Sequence, residues 1–264
     1  MTANPSYILA GAAAEIERLR HVDEYMAPTT QSRLDRLGID HGWTCLEVGA
    51  GVGGVARWMA EQVGPSGKVV AVDLNPLFDA DPHLPNLEIR RHDVLAEGLE
   101  PDFYDLVHCR LLLVNVGNPE LALERMTSAL CPGGWLLVEE PGEARFPAVG
   151  ESDPRVAEYH RLMDVFLQST RATARAVDLD LFRRLPSLLE SLGLVQIGGE
   201  VSSQLVRSKG RSAVLGTIRA LRPLLADQPI AKEGMIERLI ELCEDPTLLA
   251  LGESTLCLWG QRPA

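Results

Sequence analysis

The sequence predicts an α/β protein in which a mostly parallel, doubly wound sheet carries helices on both faces. Short buried strand patterns alternate with helical patterns in the first half of the 264-residue chain, which is typical of such sheets. A cluster of glycines directly follows the first strand pattern. Sheets of this class bind ligands at the carboxyl ends of their strands. The residues that follow each strand are therefore the candidates for a functional site.

The predicted elements begin with helices and continue with strands. Apolar residues at helical spacing extend from about Tyr7 to Leu37, with a predicted break near Pro28. Two further helices, Val55–Val63 and Pro119–Leu130, are predicted between strands. Seven strands are predicted, at Thr44–Val48, Lys68–Asp73, Leu87–Arg91, Phe103–Cys109, Trp135–Glu140, Leu194–Val201 and Ser254–Gln261.

The chain after residue 141 is less regular and predicts a helical addition to the sheet. Helices are expected at about 153–174, 179–192, 212–225 and 232–243. We interpret residues 1–264 as one domain, and we expect the inserted helices to form a lid over the ligand edge. The parts of this domain are N-terminal helices (1–40), a ligand-binding core (41–140) and helical lid elements (141–193 and 208–250).

The charge balance argues against nucleic acid as the partner. The chain has 25 Lys plus Arg and 37 Asp plus Glu, a net charge of −12, whereas nucleic-acid binding depends on neutralising phosphates. The five cysteines form no C-x-x-C pair, so neither a zinc site nor a disulfide framework is indicated and a cytoplasmic location is expected. No signal-peptide pattern and no apolar run of about 18 residues is present, so no membrane span is expected.

The strongest motif is the sequence Leu46-Glu-Val-Gly-Ala-Gly-Val-Gly-Gly54, which closes the first strand. Glycines at such a turn adopt backbone angles closed to other residues and let a ligand lie against the chain. The following helix offers free N–H groups and the positive end of its dipole. Gly49, Gly51 and Gly54 also match G-x-G-x-x-G, and Asp73 lies about 20 residues further on, so a nicotinamide dinucleotide site is an alternative.

Four further features favour a different nucleotide ligand. Glu47 lies two residues before the first glycine, where an acid supports the loop or faces an ammonium group. A long helical segment precedes the first strand. Asp93 closes the third strand and is followed by Val94, a pair that suits an adenine amino group beside an apolar wall. Pro132-Gly-Gly134 leads directly into the fifth strand.

Together these blocks resemble the class I S-adenosylmethionine-dependent methyltransferases. The matching residues, in the family's order between about residues 40 and 140, are Glu47-x-Gly49-x-Gly51-x-Gly53, Asp73, Asp93, Phe103–Arg110 and Leu130–Gly134. Tyr7-Ile-Leu with Arg18-Leu19 also looks like the quinone-biosynthesis subgroup, although Asn115 stands where many members of that subgroup carry histidine. The resemblance implies a Rossmann-like fold whose last strand is antiparallel.

The resemblance also implies roles for individual residues in binding S-adenosylmethionine. Asp73 would accept both ribose hydroxyls, Leu74 would flank the adenine ring, and Asp93 would accept the adenine amino hydrogen. The backbone at Arg110 would approach the amino group of the cofactor, and Tyr7 would close the methionine end. The residues implied to bind the cofactor are Tyr7, Glu47, Gly49, Ala50, Gly51, Asp73, Leu74, Asp93, Val94 and Arg110.

Methyl transfer requires little acid–base chemistry from the protein, because alignment of the nucleophile, the methyl carbon and the sulfur supplies the acceleration. A general base helps only when the nucleophile arrives protonated. His160 in the inserted helices and His21 in the N-terminal helix are the candidates, whereas His108 is expected to be buried in the fourth strand. Glu139 and Glu140 are expected to be a solvated strand end. No metal-ligand spacing is present.

The predicted function is transfer of a methyl group to an O, N or C atom of a small metabolite, as in secondary metabolism. A cyclase or other non-methylating enzyme that binds the same cofactor is one alternative. A catalytically inactive nucleotide-binding regulatory protein is another. The long N-terminal and inserted helices could also pair in a homodimer.

Overall fold

The protein is described by a computed structural model of residues 12–142, 153–173, 178, 180–207, 211–252 and 254–264. The chain divides into two compact units. The helical unit comprises Met1–Tyr25, Gly142–Leu179 and Val201–Thr255, and the sheet unit comprises Met26–Pro141, Asp180–Glu200 and Leu256–Ala264. Tyr7 lies outside the described residues, so its implied contact with the cofactor stays a prediction.

The sheet unit contains a seven-stranded sheet. In chain order its strands are β1 (Thr44–Val48), β2 (Lys68–Asp73), β3 (Leu87–Arg91), β4 (Tyr104–Arg110), β5 (Leu130–Pro141), β6 (Val195–Ser202) and β9 (Thr255–Gln261). Two short strands, β7 (Leu205–Val206) and β8 (Ala250–Leu251), pair with each other in a separate ribbon. The strand order is β3-β2-β1-β4-β5-β9-β6, and the strands from β3 to β5 pair in parallel. The predicted doubly wound sheet of seven strands, with its last strand antiparallel, is confirmed.

The fifth strand begins five residues before its predicted start. Leu130 already pairs with Tyr104, and the register then shifts so that Trp135 pairs with Leu106. Pro132-Gly133-Gly134 forms the irregularity, since Gly133 has a φ of 82° and a Cβ on Gly134 would lie 2.8 Å from the carbonyl oxygen of Tyr104. The sequence pattern shows the regular part of the strand but not the paired residues before such a bulge.

The helices of the sheet unit cover both faces of the sheet. They are the second half of α1 (Ala12–Leu37), α2 (Gly54–Val63), α3 (Pro119–Ala129) and α5 (Leu185–Ser191). Leu34 on α1 and Met59 on α2 are fully buried in one core with side chains of the central strands. The predicted helix 179–192 is shorter, because Pro186 lacks an N–H and so begins a helix rather than continuing one.

The break predicted near Pro28 is wrong, because α1 continues through this residue. A proline inside a helix removes one backbone hydrogen bond and crowds the preceding turn. Two side chains donate to backbone carbonyls just before it. Thr29 donates from its hydroxyl to the carbonyl of Met26 (2.8 Å), and the Gln204 side chain donates to the carbonyl of Tyr25 (3.2 Å).

The helical unit has a core of its own. Its helices are α4 (Pro154–Thr173), α6 (Ser212–Leu221), α7 (Pro229–Lys232) and α8 (Met235–Glu244), which confirms the helical character predicted for these segments. Apolar side chains such as Phe166, Ile218 and Leu239 are buried together there. Among the described residues, no helix has both the length and the apolar character needed to cross a bilayer.

Arg211 holds the helical unit together at the end of α8. It is 1% exposed, and its guanidinium donates to five backbone carbonyls. These carbonyls belong to Val206, Leu242, Cys243, Asp245 and Leu248, at distances of 2.9–3.3 Å. The last carbonyls of a helix have no partner within it, so this side chain satisfies acceptors that would otherwise be buried and unpaired.

Candidate functional site

The glycine loop joins β1 to α2 and is anchored on β2. Gly49, Gly51 and Gly53 have φ angles of 79°, 53° and 79°, in the left-handed region that glycine tolerates. The N–H groups of Gly49 and Ala50 donate to the carbonyl of Val72 (2.8 and 3.1 Å). The loop therefore has a fixed course over the carboxyl ends of the central strands, and it leads into the N-terminus of α2.

Asp73, the last residue of β2, is tied to the glycine loop. Its Oδ2 accepts the Gly51 N–H (2.9 Å), and its Oδ1 accepts the Asn75 N–H (2.8 Å). A carboxylate oxygen has more than one lone pair, so each oxygen retains capacity for a further donor. The neighbouring side chain of Leu74 is 39% exposed. An acid with spare acceptor capacity thus lies beside an exposed apolar side chain at the strand ends.

Phe78 packs directly on the glycine loop, a contact that the sequence pattern did not reveal. A Cβ at Gly53 would lie 2.4 Å from the Phe78 ring, and the Arg57 guanidinium lies 4.8 Å from the centre of that ring. The Leu77 N–H also donates to the carbonyl of Gly51 (3.0 Å). The segment after β2 therefore closes one side of the loop.

Replacing Gly53 with alanine is expected to destabilise the sheet unit more than replacing Gly38 with alanine. Both glycines have a positive φ, 79° and 86°, and thus share the backbone penalty of about 1–2 kcal/mol. Only at Gly53 would the added Cβ clash with another side chain, the Phe78 ring, because nothing lies within 4 Å of a Cβ at Gly38. Urea unfolding should show an additional loss of about 1–3 kcal/mol for Gly53→Ala. Equal losses would mean that the Phe78 ring moves aside freely.

Asp93 follows β3 and caps a turn. Its Oδ1 accepts the Leu95 N–H (2.8 Å), and its carbonyl accepts the N–H groups of Ala96 and Glu97. Val94 is buried, and its carbonyl accepts a hydrogen bond from Arg125 (2.7 Å). Oδ2 of Asp93 accepts no hydrogen bond from the residues that the structure describes. The capping role and the predicted contact with adenine use different oxygens, so the two are compatible.

Three buried charged side chains, Glu47 on β1, His108 on β4 and Glu139 on β5, form a row across the sheet. Each lies one or two residues before the carboxyl end of its strand. His108 Nδ1 lies 2.5 Å from Oε2 of Glu47, and His108 Nε2 lies 3.4 Å from Oε2 of Glu139. Glu139 also pairs with Arg33 and accepts the Thr30 hydroxyl hydrogen (2.5 Å), both from α1. His108 was predicted to be buried, and this is confirmed.

The pKa values within this row follow from its charges. Burial alone would lower the pKa of His108, but the carboxylates of Glu47 and Glu139 outweigh it and raise the pKa to about 9. Burial alone would raise the pKa of Glu139, but His108, Arg110 and Arg33 lower it to about 2. Both partners are therefore charged at neutral pH.

Glu140, on the opposite face of β5, holds the segment after β4. Its carboxyl group accepts the N–H groups of Leu112, Leu113 and Val114 (3.0, 2.7 and 3.4 Å). Burial outweighs these hydrogen bonds and raises the pKa of Glu140 to about 8. Glu139 and Glu140 are both 0% exposed, so the predicted solvated strand end is wrong. Arg33 and Thr30 of α1 contact Glu139, and the backbone after β4 contacts Glu140, so neither carboxyl group reaches solvent.

The remaining predicted residues divide between the two units. In the sheet unit, Arg110 ends β4 and donates to the hydroxyl of Thr30 (3.1 Å). In the helical unit, His21 lies on α1 and His160 on α4. The Nε2 atom of His160 is buried with no hydrogen-bond partner among the described residues, and burial lowers the pKa of this side chain. His160 is therefore a neutral imidazole at neutral pH. Within the described ranges, no group of three or more His, Cys, Asp or Glu is placed to hold a metal ion.

Comparison with known proteins connects this arrangement to methyltransferases. A family model described as a methyltransferase domain matches residues 18–185. Methyltransferase str3 of Strobilurus tenacellus is 34% identical over 139 residues, which are 52% of this chain and 50% of that protein. The UbiE ubiquinone/menaquinone biosynthesis C-methyltransferase of Hahella chejuensis is 30% identical over 128 residues, 45% of this chain and 51% of that protein. The chain spans about half the length of these curated relatives.

A solved structure shares the fold over nearly the whole chain. It is phosphoethanolamine N-methyltransferase 2 of Haemonchus contortus, in complex with phosphomonomethylethanolamine and S-adenosylhomocysteine. The TM-score is 0.59, and the alignment covers 99% of this chain and 61% of that chain at 15% sequence identity. At this identity the similarity establishes the fold and not the substrate.

Proposed function

This chain belongs to the methyltransferase domain family, and we propose that it transfers a methyl group from S-adenosylmethionine to an oxygen, nitrogen or carbon atom of a small molecule. The observation that carries this proposal is the glycine loop with Asp73 bound to its backbone. The two features meet at the carboxyl ends of parallel strands, where sheets of this class bind nucleotide ligands.

The nucleoside half of the cofactor fits the residues around Asp73. Each oxygen of this carboxylate has one backbone donor, so both can also accept a ribose hydroxyl. Leu74, whose side chain is exposed, would pack against the adenine ring. Asp93 would accept the adenine amino hydrogen through Oδ2, and the Val94 backbone would meet the neighbouring ring nitrogen.

The methionine half of the cofactor fits the glycine loop. The left-handed backbone of Gly49 and Gly51 leaves no side chain between the loop and a ligand. Glu47 has one carboxylate oxygen bound by His108, and its other oxygen has no donor among the residues described, so it would face the ammonium group. Arg110 would bind the carboxylate, and Tyr7 would close this end of the site.

The chemistry requires positioning above all. When bound, the cofactor supplies a methyl group activated by its sulfonium sulfur. The glycine loop and Asp73 would orient that group, and alignment alone can supply effective molarities of about 10⁵ M or more. His160, a neutral imidazole, or His21 would accept a proton if the nucleophile arrives as a phenol, hydroxyl or ammonium group.

The acceptor in this proposal is a small metabolite. The net charge of −12 disfavours nucleic acid as the substrate. All five cysteines are free thiols, which suits the reducing conditions of the cytoplasm. We also propose that two copies of the chain form a homodimer through the N-terminal and inserted helices.

Calorimetric titration with S-adenosylmethionine, S-adenosylhomocysteine and NAD tests the cofactor. We expect micromolar binding of the first two compounds and none of NAD. Binding of NAD alone would make Gly49, Gly51, Gly54 and Asp73 a dehydrogenase fingerprint and would overturn the proposal. Accumulation of S-adenosylhomocysteine and a methylated product during a screen of metabolites would then identify the acceptor. Intact cofactor beside a rearranged, unmethylated product would instead indicate a cyclase.

A further inference from the structure

The glycine loop begins two residues after a buried carboxylate that has a single ionic partner among the described residues. Glu47 is 3% exposed, and His108 is the residue bound to it, through Nδ1 and Oε2 at 2.5 Å. Burying a carboxylate without a partner is costly, and such a group protonates instead. His108 is therefore the described side chain whose charge can compensate the buried carboxylate of Glu47.

The other carboxylate beside His108 has partners of its own. Glu139 pairs with Arg33 and accepts the hydroxyl hydrogen of Thr30, both from α1. Arg110, on the same strand as His108, also lowers the pKa of Glu139. Glu139 therefore shares His108 with these groups from α1 and β4, whereas His108 is the one ionic partner of Glu47 among the described residues.

We propose that His108 is a positioning residue for cofactor binding that acts through Glu47. The imidazolium compensates the buried carboxylate of Glu47 and fixes its Oε2, so that Oε1 is left for the ammonium group of the cofactor. This inference rests on the proposed function, because it assumes that Glu47 faces S-adenosylmethionine. His108 itself touches neither cofactor nor substrate, since Glu47 and Glu139 occupy its two nitrogens.

Four proteins test this proposal by calorimetry with S-adenosylhomocysteine at pH 7: the wild type, Glu47→Gln, His108→Gln and the double variant. Glutamine at position 108 keeps a hydrogen-bond donor but carries no charge. We expect each single variant to bind about tenfold more weakly, because Glu47→Gln removes the charged acceptor of the ammonium group and His108→Gln removes the charge beside Glu47. The double variant should bind no more weakly than Glu47→Gln, because the effect of His108 passes through Glu47.

The control is Val107→Ala, on the same strand but with its side chain on the opposite face of the sheet. It removes buried apolar volume and lowers stability without touching the charged row. Its affinity for S-adenosylhomocysteine should stay within about threefold of the wild type. Thermal unfolding of each variant shows that the proteins compared are folded.

The protonation state of His108 provides a second readout, independent of ligand binding. In ¹⁵N spectra of the imidazole rings, we expect one histidine to remain an imidazolium at pH 8, and its signal should be absent in His108→Gln. With a pKa of about 9, this charge is present below that pH and is lost above it. In Glu47→Gln the same signal should move to the neutral form at lower pH.

The outcomes distinguish failure of the proposed function from failure of the positioning role of His108. If the wild type does not bind S-adenosylhomocysteine, the proposed function fails. If the wild type binds but His108→Gln binds equally well, the positioning role is overturned. Effects that multiply in the double variant would overturn it too, because His108 would then act independently of Glu47. A neutral His108 at pH 7 would contradict the ionic basis of the proposal.

Discussion

Replacing Asp73 with alanine is expected to weaken binding of S-adenosylhomocysteine by about 100-fold or more, the largest functional effect we predict. The change would remove the two proposed hydrogen bonds from ribose hydroxyls to this charged acceptor, each worth about 1.5–3 kcal/mol. A loss of 1.4 kcal/mol corresponds to about tenfold in affinity. Calorimetric titration measures the loss directly.

The same carboxylate also binds the backbone N–H groups of Gly51 and Asn75, so a control for structural damage is needed. Asp81→Ala is suitable, because Asp81 accepts the His83 N–H (2.9 Å) in the segment between β2 and β3. It removes a hydrogen bond of the same kind away from the strand end and should leave affinity unchanged. If Asp73→Ala binds like Asp81→Ala, the proposed position of the ribose is wrong.

Replacing Arg211 with methionine is expected to destabilise the helical unit by about 3–5 kcal/mol. The change leaves five carbonyls without their donor, and each buried unsatisfied group costs about 1–3 kcal/mol before the structure relaxes. Arg238→Met is the matched control on α8. Its partners Glu158 and Glu241 are on the surface, so this variant should unfold at nearly the wild-type denaturant concentration.

Two probes can show which unit the Arg211 variant affects. All four tryptophans, Trp43, Trp58, Trp135 and Trp259, belong to the sheet unit, so their fluorescence reports on that unit. Far-UV circular dichroism reports on all helices. A dichroism transition that moves to lower urea concentration while the fluorescence transition stays would place the damage in the helical unit. An unchanged dichroism transition would show that Arg211 contributes little to stability.

Much of the fold could be predicted because it is encoded locally. Three strands, Thr44–Val48, Lys68–Asp73 and Leu87–Arg91, have the predicted bounds residue for residue. Such strands are specified by runs of apolar residues and by the Gly, Pro and Asn residues that bound them, all of which are close in sequence. The helix Pro119–Ala129 was predicted to within one residue for the same reason, since Asn118 caps it and Pro119 begins it.

The predictions that were wrong concern groups whose surroundings come from distant parts of the chain. Glu139 and Glu140 were predicted to be an exposed strand end, but both are fully buried, because α1 contacts Glu139 and the segment after β4 contacts Glu140. Their partners Arg33 and Leu113 lie 106 and 27 residues away. Near Pro28 in α1, the carbonyl of Tyr25 likewise accepts a hydrogen bond from Gln204, 179 residues away. No local pattern contains this information.

The sequence by itself determined the strands, the glycine loop and the acid at the end of β2, because each depends on backbone preferences and apolar spacing within a few residues. Only the tertiary structure decided which charged groups meet. Glu47 and His108 lie 61 residues apart and become neighbours because β1 pairs with β4 in this register. Their contact matters because both are buried, and a carboxylate removed from water is costly unless a partner lies beside it.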